Sequence, residues 1–283
     1  MSYPDFLCIG APKAGTTWLY DNLVRHPEIW LPPTKSIHFY DGTARPIRRK
    51  RLWRMGQGVL RSSWRAASVS WNVKYYFSPF TNERWYESLF EPGRGRCCGE
   101  IAPSYCAMSR SQIEAVKRAM PDARILLFLR NPVDRIWSHA MLAFLVNLRR
   151  PFESITTDEF IDFCDQDRQR RYSSHSENIQ NWLSCFPRDQ ILIEFFEDIA
   201  LNPEQLLGRV CSFLGVKSEL SMFTQNARRN IFKGPAHAPP PAVKQWLLNS
   251  FRDELNTLAR DFGSYAKTWA AEAEAEAQMR GAA

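Results

Sequence analysis

Short apolar runs, each ending at a small or charged residue, alternate along this chain with segments of helical spacing. Residues 6–9 (FLCI) and 125–129 (ILLFL) are apolar without a break, and 97–101 (CCGEI) and 191–195 (ILIEF) are nearly so. Runs of that length predict strands buried on both faces of a parallel sheet. Between them Leu19, Leu23 and Val24 come after Thr16-Thr17 at helical spacing. Residues 111–120 read as a helix with Ser111 at its N-cap and Glu114 closing a capping box. Residues 172–183 open another that ends near Phe186-Pro187, and Asn202-Pro203 caps a helix over 204–214. Trp246, Leu247, Phe251, Leu255 and Leu258 predict one surface-packing helix over 243–262. The paired prolines Pro32-Pro33 exclude helix and force an extended backbone ahead of Lys35. Alternating strand and helix predict an α/β fold of three layers, with a central, mainly parallel sheet flanked by helices.

The first strand–helix junction carries the chemistry. Gly10 opens a small-residue loop, Ala11-Pro12-Lys13-Ala14-Gly15, that leads into Thr16-Thr17. Such a turn aims backbone N–H groups and the positive end of a helix at one point, which makes an anion site. The spacing G-x-x-x-x-G-T-T is close to the nucleotide P-loop, but the lysine has moved to the middle of the loop and a threonine stands in its usual place. In an ATP or GTP site an acidic residue after a later strand supports magnesium. Here the strand over 125–129 ends instead in Arg130-Asn131-Pro132, so the loop suits a nucleotide with one phosphate at its 5′ end.

The stretch from Pro12 to Thr17, together with Leu129-Arg130-Asn131-Pro132-Val133-Asp134-Arg135-Ile136-Trp137-Ser138, resembles the sulfotransferase family. That resemblance implies a P-loop-like fold and 3′-phosphoadenosine-5′-phosphosulfate (PAPS) as sulfuryl donor, with 3′-phosphoadenosine-5′-phosphate (PAP) as product and no metal. It implies that Lys13, Ala14, Gly15, Thr16 and Thr17 hold the 5′ end. Arg130 and Ser138 would grip the 3′-phosphate, which agrees with their spacing of about two helical turns. The loop Arg229-Asn230-Ile231-Phe232-Lys233-Gly234-Pro235 resembles the segment that closes over that phosphate, with Lys233 and Gly234 as the candidates.

Two departures concern the base. Lys35-Ser36-Ile37-His38-Phe39-Tyr40-Asp41 resembles a K-E-x-H-F-F stretch whose glutamate is the general base in several members, and Ser36 stands at that position. Gly99-Glu100-Ile101-Ala102-Pro103-Ser104-Tyr105 resembles the acceptor-side loop, with Ile101 where carbohydrate-directed members often carry lysine. His38 and Glu100 are therefore the candidate bases beside the catalytic Lys13. Imidazole suits proton transfer near neutrality. His175 is a weaker candidate for approach to the acceptor, since a lone histidine is more often structural.

Charge adds a further feature. The net charge is +7, yet no acidic residue lies between Gly42 and Asn82, where Arg45, Arg48, Arg49, Lys50, Arg51, Arg54, Arg61, Arg65 and Lys74 fall. This is either a solvated basic surface or a lid or helix pair that attracts an anionic or membrane-associated acceptor through residues 45–65. Trp53, Leu60, Trp64 and Trp71 interleave with the basic residues, which favours an amphipathic segment over a disordered tail. The aromatics at 75–77 and 85–90 read as packing beneath it, with contact to the acceptor as the alternative. No nucleic-acid motif accompanies the charge, so nucleic acid is not expected as a partner.

Length and composition predict a single domain over residues 1–265 with a basic insertion at about 42–82, followed by an Ala/Glu-rich tail, 266–283, without assigned function. Seven cysteines without a C-x-x-C pair predict reduced thiols. The first strand starts too early for a signal peptide and no apolar run is long enough to span a bilayer, so a cytoplasmic protein is expected. The predicted activity is sulfuryl transfer to an alcohol, phenol, sugar or amine. A metal-dependent small-molecule kinase and a cofactor-binding protein without transfer activity are the alternatives.

Overall fold

The computed structural model describes residues 3–56, 69–218, 227–228 and 237–281. Strands β1 (Phe6–Gly10), β2 (Ile29–Trp30), β3 (Cys97–Ile101), β4 (Arg124–Leu129) and β5 (Ile191–Phe195) form one sheet in the order β2-β3-β1-β4-β5. Every pairing is parallel, with Leu7 opposite both Glu100 and Ile125. The burial behind this arrangement is written in the apolar runs: β1 is buried at all five positions and β4 at five of six. Gly99 is required in β3, because a Cβ there would stand 2.1 Å from the Phe6 ring.

Helices cover the sheet. They are α1 (Thr16–Leu23), α2 (Ala44–Gly56), α3 (Val69–Phe77), α4 (Glu83–Ser88), α5 (Arg110–Ala119), α6 (Pro132–Met141), α7 (Thr157–Asp165), α8 (Asp167–Ser173), α9 (His175–Leu183), α10 (Asp198–Leu201), α11 (Pro203–Leu214), α12 (Pro241–Ser250), α13 (Arg252–Phe262) and α14 (Ser264–Gly281). The chain leaves β1 toward β3 on one side and β4 on the other. In open α/β sheets that reversal leaves a crevice at the carboxyl ends of the strands, where ligands bind.

Three local expectations are corrected. Helix α5 is capped two residues early, by Ser109, whose hydroxyl accepts the Gln112 N–H while the Gln112 side chain accepts the Ser109 N–H. The single helix expected over 243–262 is two, because Phe251 leaves helical backbone (ψ 11°) after the weak helix formers Asn249 and Ser250. The boundary expected after residue 265 falls inside α14. That helix packs against α13 and seats Trp269 against Phe195, with the indole N–H donating to Glu197 Oε1 at 2.8 Å.

Candidate active site

The loop between β1 and α1 is held at both ends. Ala11 N–H donates to Phe128 O on β4 (2.8 Å), and Ala14 N–H turns back to Ala11 O (3.1 Å). Lys13 has a positive φ of 69° and Gly15, the N-cap of α1, one of 82°. Glycine takes such a backbone at no steric cost, whereas the lysine there is held by its surroundings. The result is a tight turn whose lysine lines a cleft of about 890 Å³ together with Thr16 and Thr17.

A second lysine joins the first. Lys35 Nζ donates to Thr16 Oγ1 (2.9 Å) and Thr17 Oγ1 (3.0 Å) and also lines the cleft. Burial lowers both lysines to about 8, with the positive field of Arg130 adding to the effect at Lys13. Cations gathered and desolvated around one phosphate-type loop mark a place built for an anion.

Arg130 directly follows β4 and Ser138 lies in α6; both line the same cleft. Arg130 donates from Nη1 to Lys13 O (2.9 Å) and its guanidinium lies over the Phe196 ring at 4.4 Å. Its backbone carbonyl is bonded by His175 Nε2 at 2.9 Å. Burial depresses the Arg130 guanidinium, and His175 is fully buried and held at about 4, also by burial. His175 is thus a support under Arg130 and does not reach the cleft.

Beside the loop the Lys35–Asp41 segment turns sharply, with positive φ at Ser36 (62°) and His38 (64°). His38 lines the cleft, and its Nδ1 lies 2.7 Å from Asp41 Oδ2. Ser104 Oγ donates to the same carboxylate oxygen (2.7 Å), and the Thr43 N–H and hydroxyl donate to Oδ1. Burial alone would raise Asp41, but these hydrogen bonds outweigh it and bring it down to about 2, so it is ionised at neutral pH. An ionised carboxylate at Nδ1 fixes the tautomer that leaves Nε2 as the basic nitrogen.

The sulfotransferase family model matches residues 4–219, which include the loop, Arg130 and Ser138. The chain belongs to the sulfotransferase family. Among curated relatives, carbohydrate sulfotransferase 15 of Rattus norvegicus is 24% identical over 319 residues, covering 94% of this chain and 54% of the relative. The bifunctional heparan sulfate N-deacetylase/N-sulfotransferase 4 of Mus musculus is 27% identical over 232 residues, covering 75% of this chain and 22% of the relative. The chain thus spans about half the length, or less, of these curated relatives. Of solved structures, a sulfotransferase from Alicyclobacillus acidocaldarius superposes with a TM-score of 0.64 at 23% identity, covering 95% of this chain and 99% of that one. Mouse sulfotransferase SULT7A1 complexed with PAP gives 0.56 at 14% identity, covering 96% and 89%. Both likenesses show the fold.

Within this sulfotransferase fold the expected site residues separate. Lys13, Gly15, Thr16, Thr17, His38, Arg130 and Ser138 line one cleft, and Ala14 of the same loop is buried. Lys233 and Gly234 lie outside the described residues, although Trp18 and Trp137 donate to the carbonyls of Ala227 and His237 on either side of that segment. Glu100 requires a correction. It is 1% exposed and lines no part of the cleft; its carboxylate accepts the Ile37 N–H (2.7 Å), the His38 N–H (3.3 Å) and the Tyr86 hydroxyl (2.7 Å). Burial raises its pKa. Glu100 thereby holds the backbone of the His38 segment.

The two departures from the family pattern meet each other: Ser36, which lines the cleft, donates from Oγ to Ile101 O at 3.0 Å. Lys35 and Asp41 were missed as site residues. Both stand in the K-x-x-H-x-x-D stretch, and the i, i+3 spacing of His38 and Asp41 was the available signal.

Proposed function

We propose that this protein transfers the sulfuryl group of PAPS to a hydroxyl or amine, with His38, oriented by Asp41, as the base. The observation that carries the reading is the convergence of Lys13, Lys35, Arg130, Ser138 and His38 on one cleft, with cations at the donor side and a carboxylate-bound imidazole at the acceptor side. The donor set fits a doubly phosphorylated adenosine. Arg130 offers a charge-assisted fork and Ser138 a hydroxyl to the 3′-phosphate. Lys13, Lys35 and the α1 N-terminus meet the 5′ end.

In the proposed reaction the bond between sulfur and the bridging oxygen of the 5′-phosphate breaks as the acceptor oxygen or nitrogen bonds to sulfur. Lys13 and Lys35 stabilise the charge that grows on the departing phosphate. His38 Nε2 takes the acceptor proton, and Asp41 stabilises the imidazolium that results. Ser36 cannot supply a carboxylate, and the His38–Asp41 pair stands in its place. This pair also weighs against a binding protein without transfer activity, and Arg130 at the end of β4 against a magnesium-dependent kinase.

The acceptor class we favour is a sugar hydroxyl or amine, because the curated relatives are named for carbohydrate and heparan sulfate. The basic segment supports an anionic or membrane-associated form of it. We place the reaction in the cytoplasm, where thiols stay reduced, in keeping with the seven free cysteines. Incubation with radiosulfur-labelled PAPS and a panel of sugar, phenol and amine acceptors tests the reading. Label transfer that His38→Asn abolishes supports it, and PAP-tight binding without transfer to any acceptor overturns it.

A further inference from the structure

We infer that the paired helices α2 and α3 form a docking face for an anionic lipid bilayer. Helix α3 is apolar on both sides. Trp71, Tyr75 and Tyr76 are buried against the domain, while Val69, Val73 and Phe77, four residues apart, are 70%, 50% and 56% exposed, and Phe80 just beyond the helix is 65% exposed. Residues at that spacing lie along one face. Exposed apolar residues gathered along one face, unlike singly scattered ones, mark a site of interaction.

Helix α2 lies antiparallel beside it. Arg45 Nη2 donates to Pro79 O (3.3 Å), Arg48 Nη2 to Ser78 O (2.8 Å) and Arg51 Nη1 to the Tyr75 hydroxyl (2.5 Å), so the start of one helix meets the end of the other. Arg48 is buried, with its guanidinium 5.0 Å from the Trp85 ring. That packing turns Arg45, Arg49 and Lys50 outward, and all three are exposed. With no acidic residue between Gly42 and Asn82, the outward charge is uniformly positive.

The exposed cations of α2 together with the exposed Val and Phe of the adjoining α3 match the headgroup region of an anionic bilayer, where the cations meet phosphate and the apolar side chains enter the acyl boundary. A soluble polyanion would satisfy the cations and leave the apolar stripe in water, and a second copy of this chain would bring like charge against like. Docking here bears on the acceptor side of the cleft. Arg51 also donates to the carbonyls of Lys35 (2.7 Å) and Ser36 (3.1 Å), which fixes α2 to the turn that carries His38.

The test is co-sedimentation of the full chain with phosphatidylcholine vesicles with and without phosphatidylglycerol, at low and high salt, with PAP affinity and oligomeric state measured in parallel. The expected result is partition onto the anionic vesicles alone, weakened by salt. Phe77→Ser/Phe80→Ser and Arg49→Glu/Lys50→Glu each reduce it by on the order of tenfold or more, with PAP affinity unchanged. Absence of partition, or partition that both double variants retain, overturns the proposal. So does a wild-type dimer that Phe77→Ser/Phe80→Ser converts to monomer. Vesicle binding does not depend on sulfuryl transfer, so this proposal fails or stands apart from the function above.

Discussion

His38 Nδ1 and Asp41 Oδ2 lie 2.7 Å apart beside a cationic cleft, on the turn that also carries Ser36. If this pair is the base, His38→Asn removes the proton acceptor and lowers kcat by on the order of 10²-fold or more. Asp41→Asn frees the wrong tautomer to face the acceptor and also lowers kcat, leaving PAP affinity within a few-fold. Steady-state kinetics alongside PAP titration separate these effects. A variant that lost PAP binding in proportion to turnover would assign the pair to donor binding.

The lysines predict a pH dependence. Burial holds Lys13 and Lys35 at about 8, so the ammonium forms that attract phosphate prevail below that pH and are lost above it. PAP affinity therefore falls as pH rises through about 8, and binding in that range takes up protons, because a bound phosphate favours the charged lysine. Calorimetry in two buffers of different ionisation enthalpy reads the uptake. Lys13→Arg, which stays charged, flattens the profile, and a wild-type affinity that is level across this range contradicts the assignment.

Glu100 predicts a stability effect. Its buried carboxylate accepts from Ile37, His38 and Tyr86, and Glu100→Gln replaces one acceptor oxygen with a donor there. The expected cost is about 1–3 kcal/mol, seen as a lower melting temperature together with weaker turnover as the His38 turn loosens. Loss of turnover at an unchanged melting temperature would return Glu100 to the role of base.

The terminal helix predicts another. Trp269 is 4% exposed against Phe195, and Trp269→Ala leaves a cavity and an unpaired Glu197. Destabilisation of about 3–5 kcal/mol is expected, and a chain ended after residue 265 should melt lower by a similar amount. An unchanged melting curve for both would make the α14 contact dispensable.

The centre of the sheet was legible because β1 and β4 are buried on both faces, and such strands have to be written as unbroken apolar runs; the two-residue β2 left no such run to read. The donor-side candidates were legible for a related reason: a phosphate loop needs small residues at fixed spacing, which singles out Gly15 and Thr16, while Arg130 stands in the stretch that carries the family resemblance. The acceptor side was only half legible. Asp41 and Lys35 act through contacts between turns, and nothing in the order of residues says that Glu100 spends its carboxylate on the backbone of Ile37 and His38. The break at Phe251 was hidden for a similar cause, since helical spacing of apolar residues runs through it and only tertiary packing divides α12 from α13. The Ala/Glu composition of α14 concealed the two aromatics, Tyr265 and Trp269, that dock it.

The cofactor assignment, on which the proposed chemistry rests, is tested by calorimetric titration of PAP, without metal, into the wild type and Arg130→Ala, with ATP plus magnesium as the control. Tight metal-free binding is expected, weakened by the substitution by about 2 kcal/mol or more, the scale of a charged hydrogen bond. That corresponds to roughly 30-fold in Kd. No binding of PAP, or a preference for ATP with magnesium, would contradict it.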